Sequence, residues 1–143
     1  MKYNLGKGKK GLNGFVNLDK KDLDLNNSFI LKDCDKIIMD NVLEHIDNRY
    51  ECIISIHSSL SKGKSAIITL PVFNSNLSHK SYFHFTNFFD VVSRTNDNSL
   101  QNKKLFDVTY KLKFNDWKHI YYVIKKLLYI VFVSEIEFKL IKK

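Results

Sequence analysis

The chain has 143 residues and a formal net charge of +8, with two cysteines and one proline. That length carries one domain with a real core and excludes two. Cys34 and Cys52 are too few and too unpatterned for a disulfide framework or a zinc site.

No run approaches the ~20 apolar residues of a membrane span. The nearest, residues 127–133, lies between Lys125-Lys126 and Ser134-Glu135 and is expected as buried core. Met1-Lys2-Tyr3-Asn4 enters the first strand directly, which argues against a signal peptide and for a reducing cytoplasm. The positive charge would suit a nucleic acid, but it falls in scattered pairs: Lys9-Lys10, Lys20-Lys21, Lys103-Lys104, Lys125-Lys126 and Lys142-Lys143. Arg49 and Arg94 are the two arginines, whereas phosphate and base recognition favours the arginine fork.

In chain order, Tyr3-Asn4-Leu5 reads as a short apolar strand breaking at the glycines Gly6 and Gly8. Phe15-Val16-Asn17-Leu18 is a second strand closing on Asp19, the usual place for a carboxylate that binds a ribose. Gly6-Lys7-Gly8-Lys9-Lys10-Gly11 matches the dinucleotide pattern literally. That pattern, however, needs a helix to hold the pyrophosphate, and Gly14 and the strand from Phe15 leave it no room. A NAD or FAD site is therefore set aside; a plain glycine-rich surface turn is the competing reading.

Lys21-Asp22-Leu23-Asp24-Leu25 alternates as a brief third strand. Lys36-Ile37-Ile38-Met39 is a compact run suited to a central buried strand, ending at Asp40-Asn41. Residues 42–46 read as a short helical turn. From Arg49 to Ser61, Tyr50, Ile53, Ile54, His57 and Leu60 recur at helical spacing, and Lys62-Gly63-Lys64 is expected to end that helix. Ser65 to Leu70 is the next strand, stopped by Pro71. Gly63-Lys64-Ser65 is not a P-loop, because Ser58 stands where the upstream glycine should be and a strand follows.

Residues 72–104 lack periodicity and are expected to form a binding lobe. Phe106, Val108, Tyr110, Leu112 and Phe114 share one strand face. Asp116 then starts an amphipathic helix through Leu128, and Ile136, Phe138 and Leu140 alternate in a last strand. Strands alternating with helices, then strand–helix–strand, indicate an α/β sheet with an antiparallel edge pair.

Together these motifs resemble a known family. Asn4-Leu5-Gly6-Lys7-Gly8, Gly14-Phe15-Val16-Asn17-Leu18-Asp19, Asp24-Leu25 and the run from Asp35 to Ile46 occur in order. Ser61-Lys62-Gly63-Lys64 before Ile67-Ile68-Thr69-Leu70-Pro71, then His79-Lys80 and Phe83-His84-Phe85-Thr86, continue the series. The chain is similar to small class I S-adenosylmethionine-dependent methyltransferases of the subgroup in which the glycine turn runs almost directly into Gly-Phe-x-Asn-x-Asp.

The resemblance implies an α/β, Rossmann-like three-layer sandwich. Its sheet would be mostly parallel and of the seven-stranded type, with an antiparallel C-terminal edge strand and no helix after strand one, over a single domain 1–143. It implies that Leu5, Gly6 and Gly8 pack against the methionine and ribose of S-adenosylmethionine, and that Asp19 binds the ribose hydroxyls. Asp24 and Leu25 would lie near the adenine, and Asp40, Asn41 and Leu43 along the methionine side. Lys7 departs from the small residue usual there, and reaches either the cofactor's carboxylate or solvent.

His79 and His84 are the candidate bases, because they follow the strand ending at Pro71, with a structural or surface role for each as the alternative. His45 matches a family position and is expected to serve packing of its short helix. Three functions stay open: methyl transfer to an oxygen or nitrogen of a small molecule, glycan or lipid precursor; a degenerate, non-catalytic cofactor-binding domain; and a basic RNA-binding or RNA-modifying protein.

Overall fold

A computed structural model describes residues 1–6, 8, 11–71, 88, 92, 105–114 and 133–143. Its strands are β1 (Lys2–Leu5), β2 (Val16–Leu18), β3 (Cys34–Asp40), β4 (Leu60–Pro71), β5 (Phe106–Phe114) and β6 (Val133–Lys142), and helix α1 spans Arg49–Ser59. They form a six-stranded sheet in the order β2-β1-β3-β4-β6-β5. β2, β1, β3 and β4 run parallel, and β6 is antiparallel to both β4 and β5.

The reversal of strand order beside β1 places a switch point where β1 and β3 separate at their C-terminal ends. Open α/β sheets bind ligands at such a point. β1 carries Tyr3, Asn4 and Leu5 all buried, as expected of a strand covered on both faces. β6 instead alternates, burying Ile136, Phe138 and Leu140 while Glu135, Glu137 and Lys139 face outward. Phe138 stacks on Phe88 with ring centroids 4.0 Å apart, and Phe106 meets His57 edge-on at 5.1 Å.

Three expectations are corrected. Residues 21–25 are turns: Asp19 O accepts from Asp22 N at 2.8 Å and Leu23 N at 2.9 Å, and Asp22 Oδ2 accepts from Asp19 N at 3.0 Å. Short acidic side chains have drawn the backbone away from a ladder. The antiparallel pair does close one end of the sheet, but the C-terminal strand is the inner member and β5 the edge. The more buried strand takes the inner place, whereas β5 leaves Tyr110 55% exposed. Gly63 does not cap α1, which ends at Ser59. With φ +76°, it sits in an irregularity of β4, where the pairing steps from Cys34–Leu60 to Lys36–Ser65. The helix expected from Asp116 lies outside the described residues.

The buried face of α1 carries Ser55 and Ser59 as well as Cys52, Ile53 and Ile56. The serines have partners: Ser55 Oγ accepts from Phe29 N at 3.1 Å, and Ser59 Oγ from Leu31 N at 2.9 Å. They dock the extended segment that returns the chain from the rim to the start of β3. At its other end the helix is capped by Asn48, whose Oδ1 accepts from Glu51 N at 3.3 Å.

Candidate functional site

A cleft of ≈ 280 Å³ opens at the C-terminal ends of the parallel strands. Its lining comes from three stretches. Gly6 ends β1; Asp19, Lys20, Leu23, Asp24, Leu25 and Asn26 follow β2; Val42, His45 and Ile46 follow β3.

Gly6 has φ +70° and its N–H donates to Leu18 O at 2.8 Å, so the chain leaves β1 by turning sharply across β2. A Cβ at this position would lie 2.5 Å from Val42 Cγ2, so glycine is required both by conformation and by space. Residues 12–15 of the connection to β2 are held by Asn17. Its Oδ1 accepts from Leu12 N at 2.7 Å and from Asn4 Nδ2 at 2.8 Å; its Nδ2 donates to Leu12 O at 3.1 Å and Phe15 O at 3.0 Å. One amide therefore fastens the described end of a connection shorter than the dozen or more residues parallel strands ordinarily need.

The Asp19 carboxylate is held by Lys20 N, which donates to Oδ1 at 2.8 Å. Asp24 organises the far wall: its Oδ1 accepts from Asn26 N at 3.1 Å and Asn26 Nδ2 at 3.2 Å, which lowers its pKa. Asn26 Oδ1 in turn accepts from Asp47 N at 2.8 Å, tying this wall to the turn after β3. Leu23, Leu25, Val42 and Ile46 supply the apolar part of the lining.

Of the residues predicted from sequence, Gly6, Asp19, Asp24 and Leu25 share this cleft. Leu5 and Leu43 are fully buried in the core. Gly8, with φ +53°, has nothing within 4 Å of a built Cβ and is not part of the lining. Asp40 ends β3 and Asn41 follows it, two residues and one residue from the cleft wall at Val42. His79, His84 and Lys7 are outside the described residues, as is nearly all of 72–104. His45 is exposed and lines the cleft, not packed in a helix interface as expected. Sequence reasoning passed over Asn17, Val42 and Ile46. Asn17 was legible as the one amide inside Gly-Phe-x-Asn-x-Asp, but its partners are set by the loop.

A 3₁₀ turn, Leu43–His45, follows Asn41. Its Glu44 is 1% exposed, and its carboxylate has no hydrogen-bond partner beyond its own backbone N–H. Burial, reinforced by Asp40 and Glu135, pushes its pKa up to about 7. Arg49 sits nearby but spends its guanidinium on backbone, donating to Leu43 O at 3.2 Å and Glu44 O at 3.3 Å. Among the described residues no cluster of His, Cys, Asp and Glu could hold a metal ion, and no helix is long and apolar enough to cross a membrane.

Compared by sequence, the chain matches no protein-family model and no curated protein. Compared by structure, it is similar to an S-adenosylmethionine-dependent methyltransferase of Thermotoga maritima, with TM-score 0.62 and 13% identity over 99% of this chain and 82% of that one. A second, from Archaeoglobus fulgidus, matches with TM-score 0.63 and 14% identity over 99% and 85%. Phosphoethanolamine N-methyltransferase 2 of Haemonchus contortus, in complex with S-adenosyl-L-methionine, matches with TM-score 0.53 and 15% identity over 83% of this chain and 36% of that one. Strand order and these likenesses agree: the chain has the α/β, Rossmann-like fold of the class I S-adenosylmethionine-dependent methyltransferases.

Proposed function

We propose that the cleft binds S-adenosylmethionine and that the chain transfers its methyl group to an oxygen or nitrogen of a small-molecule, glycan or lipid-precursor acceptor. The observation that carries this reading is the convergence of Gly6 and Asp19 on one cleft at the switch point of the sheet.

The residues present fit such a ligand. Gly6 lines the cleft without a side chain of its own, so a ligand can approach the main chain there. Asp19 is fixed through Oδ1 by Lys20 N, leaving Oδ2 to accept from a ribose hydroxyl. Leu23, Leu25, Val42 and Ile46 offer apolar contact to an adenine between Asp19 and Asp24. When bound, the cofactor supplies a methyl made electrophilic by its sulfonium, so the protein's task is orientation and exclusion of water. His79 and His84 are the proposed bases, and residues 72–104 the proposed acceptor lobe. A cytoplasmic setting belongs to the same reading, with Cys34 and Cys52 as free, buried thiols.

Calorimetry with S-adenosylmethionine and S-adenosylhomocysteine tests the binding half, with Asp19→Ala as control. Transfer of a radiolabelled methyl group into a metabolite extract tests the catalytic half. Binding without transfer would leave a non-catalytic cofactor-binding domain; absence of both would overturn the reading.

A further inference from the structure

The described sheet ends on β5, and the register shows which of its backbone groups β6 uses. Lys143 N donates to Leu105 O at 3.1 Å, so these two residues face each other as a hydrogen-bonded pair. The same register sets Asp107 opposite Ile141, Thr109 opposite Lys139 and Lys111 opposite Glu137. Hydrogen-bonded and non-hydrogen-bonded pairs alternate along an antiparallel ladder, so these odd-numbered residues also bond to β6. Phe106, Val108, Tyr110 and Leu112 therefore turn their N–H and C=O groups to the outer edge.

Side-chain exposure marks the middle of this edge as accessible from both faces of the sheet. Tyr110 shares a face with Phe138, at 6.4 Å between ring centroids, and is 55% exposed. Thr109 and Lys111 belong to the opposite face and are exposed as well. A segment laid along the edge here would cover side chains on both faces. A strand of nine residues with such an edge is a template for another strand. Proteins commonly guard an edge with lysines and bulges, and β5 carries Lys111, Lys113 and an irregularity between Lys113 and Phe114. The partner strand must accommodate all three.

We propose that β5 pairs antiparallel with β5 of a second copy of this chain, two-fold about Tyr110, joining the two sheets into one. Tyr110 is the midpoint of Phe106–Phe114, and centring there brings outward backbone to outward backbone. Tyr110 faces itself across the axis, and Val108 faces Leu112 of the second copy, all as hydrogen-bonded pairs. Between them Asp107 falls opposite Lys113 of the second copy, twice by symmetry, and Thr109 opposite Lys111. Neither lysine meets a lysine, so the charges that deter other strands are matched by this one. A slip that centred the pair on Lys111 would set that ammonium against its own copy. Within one protomer Asp107 already holds Lys143 at 3.1 Å and Lys113 holds Glu135 at 3.4 Å. Both side chains stay about half exposed, so the new pair continues a row of alternating charge across the junction. The irregularity at Lys113 bounds the ladder at each end. This interface stands apart from the cofactor cleft and does not depend on it.

Sedimentation equilibrium of the full chain tests the interface, with amide exchange read residue by residue at low and high concentration. In about 0.15 M salt, which screens the like net charge of the two copies, the mass should rise from one chain to two over the micromolar range. On association the amides of Val108, Tyr110 and Leu112 should slow at least about tenfold. Those of Thr109 and Lys111, bonded to β6 in either state, should not change. Tyr110→Pro removes an N–H that β6 does not use, and sheet edges tolerate proline, so this variant should fold and stay monomeric. Asp107→Lys sets like charges opposite each other twice and should weaken association about tenfold. A wild type still monomeric at ~300 µM overturns the interface. So does a dimer that both variants keep, or one that leaves the alternate β5 amides unprotected. Slow exchange of the same amides in a monomer would mean that the chain's own residues cover the edge, and overturns it equally. Should Tyr110→Pro fail to fold, Asp107→Lys and the exchange pattern decide.

Discussion

Gly6 and Val42 stand so close that a methyl group added to the glycine would lie 2.5 Å from Val42 Cγ2 and 2.8 Å from Cγ1. One residue ends β1 and the other follows β3, so their approach sets the depth of the cleft between the two strands. Gly6→Ala should therefore act twice. The φ of +70° disfavours alanine, and the overlap forces Val42 aside, for a combined loss of about 2 kcal/mol or more. Urea unfolding and S-adenosylhomocysteine titration should both show the defect. Gly8→Ala meets nothing within 4 Å and should show only the conformational part. Equal effects of the two substitutions would contradict this account.

Asp19→Ala removes the carboxylate proposed to hold the ribose. A hydrogen bond to a charged group contributes about 1.5–3 kcal/mol, so affinity for S-adenosylhomocysteine should fall roughly 10–100-fold. The expected cost in folding is small, since the described partner of its carboxylate is the adjacent Lys20 N. A variant that binds normally would remove Asp19 from the site.

Asn17→Ala is expected to be a stability mutation that also loosens the ligand cleft. It strips Asn4 Nδ2 of its acceptor on a residue only 5% exposed, and breaks both bonds from Leu12 to the amide, leaving Leu12 O only the 3.3 Å bond from Phe15 N. Leaving a buried donor unsatisfied costs about 1–3 kcal/mol. The denaturation midpoint should shift with an unchanged slope; a midpoint equal to wild type would show that the loop holds itself.

Ser59→Ala tests how the rim is fastened to α1. The hydroxyl accepts from Leu31 N and donates to Ser55 O at 2.7 Å, so the alanine leaves a buried N–H orphaned. A loss of about 1–3 kcal/mol is expected by thermal unfolding. Amide exchange at Leu31 should speed up more than at Ile37 in β3, and uniform acceleration would argue against a local tether.

Glu44 predicts a pH dependence whose sign follows from its raised pKa. The folded state holds the proton more tightly than the unfolded chain, because burial disfavours the carboxylate. Its contribution is complete below the ordinary carboxylate pKa of 4.5 and is lost as pH rises through about 7. Wild type should thus lose melting temperature relative to Glu44→Gln between about pH 5 and about pH 8. The two should converge at the acid end. Parallel curves would show that Glu44 ionises as an exposed carboxylate does.

The sequence alone determined the parallel half of the sheet and the identity of its chief landmarks. Gly6, Asp19 and the run ending at Asp40 were legible because local chemistry dictates them: a chain that leaves a buried strand through φ > 0 needs glycine, and an apolar run with no polar face must be central. The alternation of Ile136, Phe138 and Leu140 announced the last strand for the same reason. It could not say whether β6 lay at the edge or inside, since alternation reports a face and not a neighbour. Nor could it show that residues 21–25 curl into turns, where Asp22 competes for the backbone, or that Gly63 serves a bulge within β4. Only the tertiary structure decided that Val42, Ile46 and His45 face the cleft while Leu43 and Glu44 turn away from it. In a turn of this kind, orientation is settled by which side chains the neighbouring strands can bury, and that is a property of contacts distant in the chain.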